Sequence, residues 1–436
     1  MCLKLFEPSI EYQPIVRNGY DFCKISVKND EKPGKKSIKN INHTEEMDME
    51  FSKRLELFGE EIFASLNARR IELEAQGRKL YNLSVGTPDF APAASIKEAL
   101  CRAAEDDENW KYALRDLPEL LSAVCAYYNR RFGVDSISPD MVMSWYGSQD
   151  GIGHLGLALL NEGDTVLVPD PCYPVFMTGV KMAGGVPYYY HLTKENGFLP
   201  RVSEIPEETA KKSKCMIVSL PANPVGSVGN PELYAELIAF CQKYDILLIH
   251  DNAYSDIIFD GAVGNSIFHY RGADKVAVEF FSLSKSFNVT GARLSFLVGR
   301  ADVIAAARKL RSQIDFGMFL PLQKAAVAAL TGPLDGVKEQ CKVYQARRDA
   351  FCGGLRSIGW NVPDSHGSMF VWAPLPAGRQ NSMQFCMELM EKAGVICTPG
   401  SSFGPSGEGY VRFALTMPEE KLREAVEAIR ESGILK

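Results

Sequence analysis

The chain has 436 residues, 48 of them basic and 54 acidic, for a net charge of −6, and 46% are apolar. That apolar share fills a large core and the length suits two or three domains. The acidic balance, without blocks of lysine or arginine, argues against nucleic acid as a partner, because phosphate backbones are held by dense positive charge.

No apolar run of about eighteen residues is present to cross a membrane. The opening MCLKLFEPSIEYQ is broken by Glu7 and Pro8 before a secretory core can form, so a cytoplasmic protein is expected. Eleven cysteines without a Cys-x-x-Cys pair read as buried thiols, and the six histidines show no ligand spacing, so no metal site is expected.

Residues 1–46 mix charges around Pro33-Gly34 without a sustained period, and a weakly ordered extension is expected there. Met47 and Met49 stand just before the first regular segment, which leaves open where translation starts. From Phe51 to about Ala75, Leu55, Phe58, Ile62, Phe63, Leu66 and Ile71 recur at helical steps and predict one long amphipathic helix. A short strand, Leu80–Val85, and a turn at Gly86–Asp89 follow, and residues 47–94 are expected to join the C-terminal domain.

Residues 95–325 alternate helices, such as Pro231–Lys243, with the apolar runs Thr165–Val168, Cys215–Leu220, Ile246–His250 and Val276–Phe281. Strands apolar on both faces predict a mainly parallel sheet in an α/β domain, whose ligands gather beyond the carboxyl ends of the strands. Residues 326–436 change character, with a helix through Gln345–Leu355 and strands near Met369–Ala373, Val395–Thr398 and Tyr410–Leu415. A closing helix, capped by Thr416 with Pro418 and Glu419 in its first turn, completes a smaller α+β domain.

Gly151-Ile-Gly153-His-Leu-Gly156 fits the dinucleotide pattern G-x-G-x-x-G, with Asp170 near the position of a ribose acid. Gly147-Ser148-Gln149-Asp150, one turn earlier, offers a tight turn, a hydroxyl and free N–H groups at a helix start that suit any phosphate. The residues say phosphate more securely than they say dinucleotide.

Polar groups follow the strands in order: Asn223 after Cys215–Leu220, Asp251 and Tyr254 after Ile246–His250, and Ser282, Ser284 and Lys285 after Val276–Phe281, with Arg293 eight residues beyond the lysine. Singly each has a plain explanation as a turn former, cap, core ring or solvated charge. Together they meet the needs of pyridoxal 5′-phosphate: a Schiff-base lysine, an acid at the pyridine nitrogen and a phosphate cradle. An acid beside that nitrogen favours its protonated, electron-withdrawing form, and an amide and a phenol at the 3′-oxygen tune reactivity.

The motifs SLPANPVG, HDNAYSD, SLSKSFNVTGAR and GEGYVRFAL resemble those of fold-type I, class I/II pyridoxal-phosphate aminotransferases, from about Met49 to the C-terminus. FSKRLELFGEEIF, SVGTPDFAP, YALRDLPELL and GSQDGIGHL are most similar to the bacterial LL-diaminopimelate aminotransferase-like group. The resemblance implies an α/β fold-type I transferase, with a large domain on a mainly parallel seven-stranded mixed sheet and a smaller α+β domain. It implies that Lys285 carries the cofactor, Asp251 meets its ring nitrogen, Asn223 and Tyr254 its 3′-oxygen, and that Tyr173 stacks on the ring. Ser148, Gln149, Ser282, Ser284 and Arg293 would hold the phosphate, with Tyr112 reaching it from the other subunit of a homodimer. Arg412 would clamp the substrate α-carboxylate beside the backbone of Gly86.

The implied reaction moves an amino group from an α-amino acid to a 2-oxo acid by ping-pong kinetics. In the segment Ser312–Gly317, Asp315 suits a distal ammonium, as of LL-diaminopimelate, and equally suits a turn cap. Gly291-Ala292-Arg293 departs from the subgroup, where a bulky aromatic often precedes the arginine. Three rivals are a carbon–sulfur β-lyase of the same fold, an NAD-dependent dehydrogenase and a non-catalytic transcription regulator. The acidic charge and short extension leave the last little room.

Overall fold

The structure is a computed structural model that describes residues 10–17, 20–27, 49–57 and 62–436. Met1–Phe51 and Ser52–Lys436 form two compact units. In the first, β1 (Ile10–Arg17) and β2 (Tyr20–Val27) make an antiparallel hairpin in which Arg17 pairs with Tyr20. The mixed charges of that stretch carry no sustained period that would predict these strands.

The second unit contains β3 (Tyr81–Asn82), β4 (Val142–Trp145), β5 (Thr165–Asp170), β6 (Val186–His191), β7 (Ser213–Ser219), β8 (Leu247–Asp251), β9 (Ala277–Ser282) and β10 (Ser295–Gly299). Six C-terminal stretches follow: strands β11 (Phe370–Pro374), β12 (Val395–Ile396), β13 (Thr398–Pro399) and β14 (Tyr410–Ala414), and the helices Ser382–Ala393 and Glu419–Ser432. Seven strands form one sheet in the order β4-β10-β9-β8-β7-β5-β6, with β10 antiparallel to both neighbours and the other pairs parallel.

Side chains alternate between two cores, as a two-sided sheet requires. Leu248, Phe281 and Phe296 enter one, while Ile249, Phe280 and Leu297 enter the other. Helix Pro231–Tyr244 shows how the sequence sets an element. Asn230 accepts a hydrogen bond from the Leu233 N–H at 2.8 Å, Pro231 occupies the first turn, and Asp245 ends the helix in the left-handed region.

A third core sits under the C-terminal sheet β11-β14-β13 and takes Leu66, Leu73 and Tyr81 from the N-terminal segment, while β3 pairs in parallel with β12. The single helix expected over residues 51–75 differs in the structure: a 3₁₀ turn spans Lys53–Leu57 and an α-helix spans Ile62–Ala75. Leu55 and Ile71, read as core positions, are exposed. The closing helix begins at Glu419 and Thr416 does not cap it, because its hydroxyl donates to the carbonyl of Val85 at 3.0 Å.

Candidate active site

The carboxyl ends of β7, β8 and β9 open on a cavity of about 330 Å³. Asn223 follows β7, Asp251 ends β8 with Tyr254 beyond it, and Ser282 ends β9 ahead of Ser284 and Lys285; all six line the cavity. Ser148 and Gln149 enter from the start of helix Ser148–Leu159, Tyr173 from the loop after β5, Arg293 from the turn before β10, and Arg412 from β14. Gly86 closes the wall, so twelve of the fourteen residues singled out by sequence share one cavity.

Lys285 Nζ donates to the carbonyl oxygen of Gly86 at 2.5 Å. Burial, with Arg293 and Arg412 nearby, pushes its ammonium down to about 8 from 10.5. Its backbone is fixed from behind, since Gln340 Nε2 donates to the Lys285 carbonyl at 2.8 Å. Asp256 adds a second anchor, accepting from Arg131 at 2.7 Å and from Ser286 at 2.5 Å. Gly86 needs its missing side chain: a Cβ there would lie 2.6 Å from the Phe370 ring.

Asp251 is buried, and burial raises its carboxyl to about 6, opposed by His250 and a backbone hydrogen bond. Its Oδ1 has no hydrogen-bond partner. Tyr254 is raised above its ordinary value, first by burial and then by Asp251, and its ring meets Phe370 edge-on at 5.6 Å. His250 points away from the cavity, with Nδ1 at 2.8 Å from Glu279 Oε2 in a site where both side chains are fully buried.

The phosphate end is built on backbone. Gly147 precedes helix Ser148–Leu159 at φ 88°, and a Cβ there would strike the Arg293 guanidinium, so glycine permits the arginine to lie across the helix start. Ser148 Oγ is buried without a partner. Tyr173 donates to Gln149 Oε1 at 2.8 Å, and Ser282 Oγ accepts from the Ser284 N–H at 3.2 Å. Helix N–H groups, a hydroxyl and a guanidinium make an anion cradle.

The glycines of the G-x-G-x-x-G match lie inside that helix, where Gly156 stands against Ala183 and Gly179, so they serve helix packing. Asp170 is buried and accepts from Ser406 Oγ at 2.7 Å, a loop-fixing role.

Arg412 is buried with no carboxylate partner among the described residues. Nη1 donates to Asn223 Oδ1 at 2.8 Å and Nη2 to the Ser84 carbonyl at 2.9 Å, while Nε has no partner. The guanidinium lies over Phe370 at 4.1 Å and Phe403 at 4.7 Å. Burial pushes it down to about 10. Glu408, the acid four residues earlier, does not pair with it and instead accepts from the Ser382 N–H at 2.7 Å.

Two residues stand outside the cavity. Tyr112 is exposed, its ring 4.9 Å from that of Phe316. Asp315 pairs with Arg311 at 2.8 Å and accepts from the Gly317 N–H at 2.6 Å. Its carboxylate is engaged within its own loop, the turn-cap alternative that the sequence left open. Ser84, Val85, Ile152, Ala253 and Phe370 complete the lining and were missed. Ser84 and Val85 adjoin the singled-out Gly86, a neighbourhood signal available in sequence.

The residues fit pyridoxal phosphate on the structure's own terms. An unpartnered Asp251 oxygen suits a protonated ring nitrogen, an unpartnered Ser148 hydroxyl suits a phosphate, and a lysine of lowered pKa suits an aldehyde. This fold and site define a fold-type I pyridoxal-phosphate enzyme that acts on amino acids. The chain belongs to the aminotransferase class I and II family, which it matches over residues 78–429.

It is 41% identical over 388 residues to an LL-diaminopimelate aminotransferase of Trichormus variabilis, covering 88% of this chain and 99% of that protein. The LL-diaminopimelate aminotransferase of Moorella thermoacetica is 39% identical over 383 residues, covering 88% and 98%. Among solved structures, substrate-bound BacF of Bacillus subtilis superposes with a TM-score of 0.84 at 34% identity, over 88% of this chain and 98% of that one. A mutant of Thermus thermophilus aspartate aminotransferase superposes at 0.82 and 28% identity, over 88% and 100%. The chain is thus a pyridoxal-phosphate-dependent aminotransferase acting on an amino acid and a 2-oxo acid.

Proposed function

We propose that this aminotransferase takes LL-diaminopimelate as amino donor and a 2-oxo acid such as 2-oxoglutarate or pyruvate as acceptor. Identity near 40% to relatives named for that donor, across nearly their whole length, supports the substrate. The observation that carries the chemistry is Lys285: a buried amine, lowered to about 8, in one cavity with a carboxylate-free Arg412.

Each chain residue then has one task. Arg412 takes the donor α-carboxylate in its planar fork and fixes Cα in two points. Pyridoxal phosphate, when bound, supplies the electron sink for the charge left on Cα as its proton departs. Lys285 Nζ, whose ammonium form is disfavoured by burial and by Arg293 and Arg412, would remove that Cα proton as a general base and return it as a general acid. Asp251 would hold the ring nitrogen in its protonated form, Ser148, Gln149, Ser282, Ser284 and Arg293 would hold the phosphate, Asn223 and Tyr254 would serve the 3′-oxygen, and Tyr173 would stack on the ring. Two half-reactions at one site give ping-pong kinetics.

The enzyme is assigned here as a cytoplasmic homodimer in which Tyr112 serves the partner's phosphate. Supporting this, Trp110, Tyr112, Leu114, Ile314 and Phe316 are large exposed apolar residues clustered through the Tyr112–Phe316 contact and the Leu114 N–H to Phe316 carbonyl bond at 2.7 Å. Among the described residues nine cysteines stand as free thiols, Cys386 and Cys397 among them, which supports a reducing compartment.

A donor panel tests the substrate. LL-diaminopimelate with 2-oxoglutarate is expected to exceed alanine, glutamate and phenylalanine at least tenfold in kcat/KM. A preference for another donor rejects it, and release of ammonia with pyruvate identifies a β-lyase instead. Ala292, half-buried beside Arg293 where the subgroup often has an aromatic, makes the panel decisive.

A further inference from the structure

Asp170 is a buried acid that does not line the catalytic cavity. It ends β5, three residues before Tyr173. A buried carboxylate has to be met by donors, and here they come from far along the chain, on the turn Pro405–Gly407 ahead of β14. The Ser406 N–H donates to both carboxylate oxygens, at 3.2 Å each, and Ser406 Oγ donates to Oδ2 at 2.7 Å. His191 Nδ1 lies 2.9 Å from the same hydroxyl and 3.5 Å from the carboxylate. A Cβ at Gly404, where φ is 122°, would strike Asp170 Oδ1, so acid and loop backbone approach as closely as glycine permits.

This grip falls beside two working rings. The Cys172 N–H donates to the Phe403 carbonyl at 2.8 Å, so residues 170–172 hold the backbone of 403–406 along its length. Tyr173, next in the first segment, lines the catalytic cavity, and Phe403, first in the second, carries the Arg412 guanidinium 4.7 Å from its ring. Trp372 meets the Phe403 ring at 5.8 Å and braces the side chain, while the bonds to Asp170 and Cys172 set its backbone. A guanidinium stacked on an aromatic ring has its plane fixed as well as its charge. A fork displaced by about 1 Å misplaces the carboxylate it takes, at a cost of up to about 10²-fold in rate.

We propose that Asp170 is a positioning residue for transamination: by gripping Gly404 and Ser406 it seats Phe403 under Arg412, and so aims the fork that takes the substrate carboxylate. This rests on the reading of Arg412 as the substrate clamp. Asp170 touches neither substrate nor cofactor, and it acts through Phe403 alone.

The half-reaction of the cofactor-loaded enzyme with the best amino donor of the panel, followed by the cofactor's absorbance, reads the clamp. Asp170→Asn keeps the shape but turns one acceptor into a donor facing Ser406. Ser406→Ala, on a half-buried turn, drops only the hydroxyl and is expected to fold. Each should lower the second-order constant for the donor at least fivefold, with the limiting rate at saturation and the apoprotein's affinity for pyridoxal phosphate held within twofold. Ser406→Thr, which keeps a hydroxyl, should stay within twofold of the parent. In an Arg412→Lys background Ser406→Ala should cost less than twofold, because the fork it helps to aim is gone. A cost below fivefold in the parent, the full cost persisting beside Arg412→Lys, or a loss of cofactor affinity in place of donor binding overturns the proposal, the last by placing the effect at Tyr173. If Arg412→Lys alone leaves the donor constant unchanged, the clamp reading falls and the proposal with it, an outcome distinct from the others.

Discussion

Arg412 and Asn223 are joined by a hydrogen bond of 2.8 Å from Nη1 to Oδ1, which aims a buried guanidinium into the cavity while leaving Nε unpartnered. A neutral amide orients this arginine without neutralising it, so its charge stays available to an incoming carboxylate. Arg412→Lys keeps a cation but loses the two-point fork. The expected loss in kcat/KM for the amino donor is about 10²- to 10³-fold, or roughly 3–4 kcal/mol of transition-state binding. It should fall mainly on KM, and steady-state kinetics across a donor series check it.

Lys285 has a stability signature as well as a catalytic one. With its pKa at about 8 in the fold and 10.5 in an ordinary setting, the folded apoprotein binds fewer protons than the unfolded chain between those values. Stability therefore rises with pH across that window, and the penalty is fully present below about pH 8. Lys285→Met apoprotein should be more stable than the parent at pH 7, by up to about 3 kcal/mol at one pKa unit per 1.4 kcal/mol. The gap should close toward pH 10.5. The same variant should lose turnover and the visible absorbance of lysine-bound cofactor. Melting curves at pH 7 and 10, with a spectrum, test both.

Asp251 titrates in the opposite sense. Burial raises it from 3.8 to about 6 in the absence of cofactor. Whatever stability this gives the apoprotein is present below about pH 4 and lost as pH rises through 6. Cofactor binding needs the carboxylate, so its affinity should fall on acidification through about pH 6. The phosphate itself changes charge near pH 6, so the comparison is with Asp251→Asn. That variant should bind pyridoxal phosphate at least tenfold more weakly at pH 7.5 and show only the share of the acid loss that belongs to the phosphate and to Lys285. Equilibrium dialysis from pH 5 to 8 separates the two curves.

The strand-end residues were legible because their spacing is local: an apolar run ends and the polar group follows within a few positions, as at Asp251 and Lys285. Phe370 was not, since the β11–β14 pairing carries it into the cavity from far along the chain. Asp315 was open to two readings, and the contact it makes within its own chain, with Arg311 four residues earlier, has an ion-pair spacing visible in sequence. The helix over residues 51–75 failed for another reason: the spacing of Leu55 and Ile71 suits a buried face, yet both are exposed in this unit. The motif at Gly151–Gly156 matched in letters but not in place, because the chain enters its helix three residues earlier, at Ser148.

That displacement of the glycine motif separates packing from cofactor binding in one experiment. A Cβ at Gly151 would strike the Phe280 ring and lie 3.2 Å from Trp145, both buried large rings with little room to move. At Gly153 the nearest atom would be Val175 Cγ2 at 3.6 Å, an ordinary contact. Gly151→Ala is therefore expected to lower stability by about 1–3 kcal/mol through overpacking. Gly153→Ala should be neutral or stabilising by about 0.5–1 kcal/mol, because alanine loses less backbone entropy in a helix. A dinucleotide fingerprint would demand the reverse, with the middle glycine intolerant because a pyrophosphate must approach its backbone. Urea denaturation of both variants, with pyridoxal phosphate affinity measured alongside, distinguishes the two readings: Gly153→Ala should retain cofactor affinity within twofold.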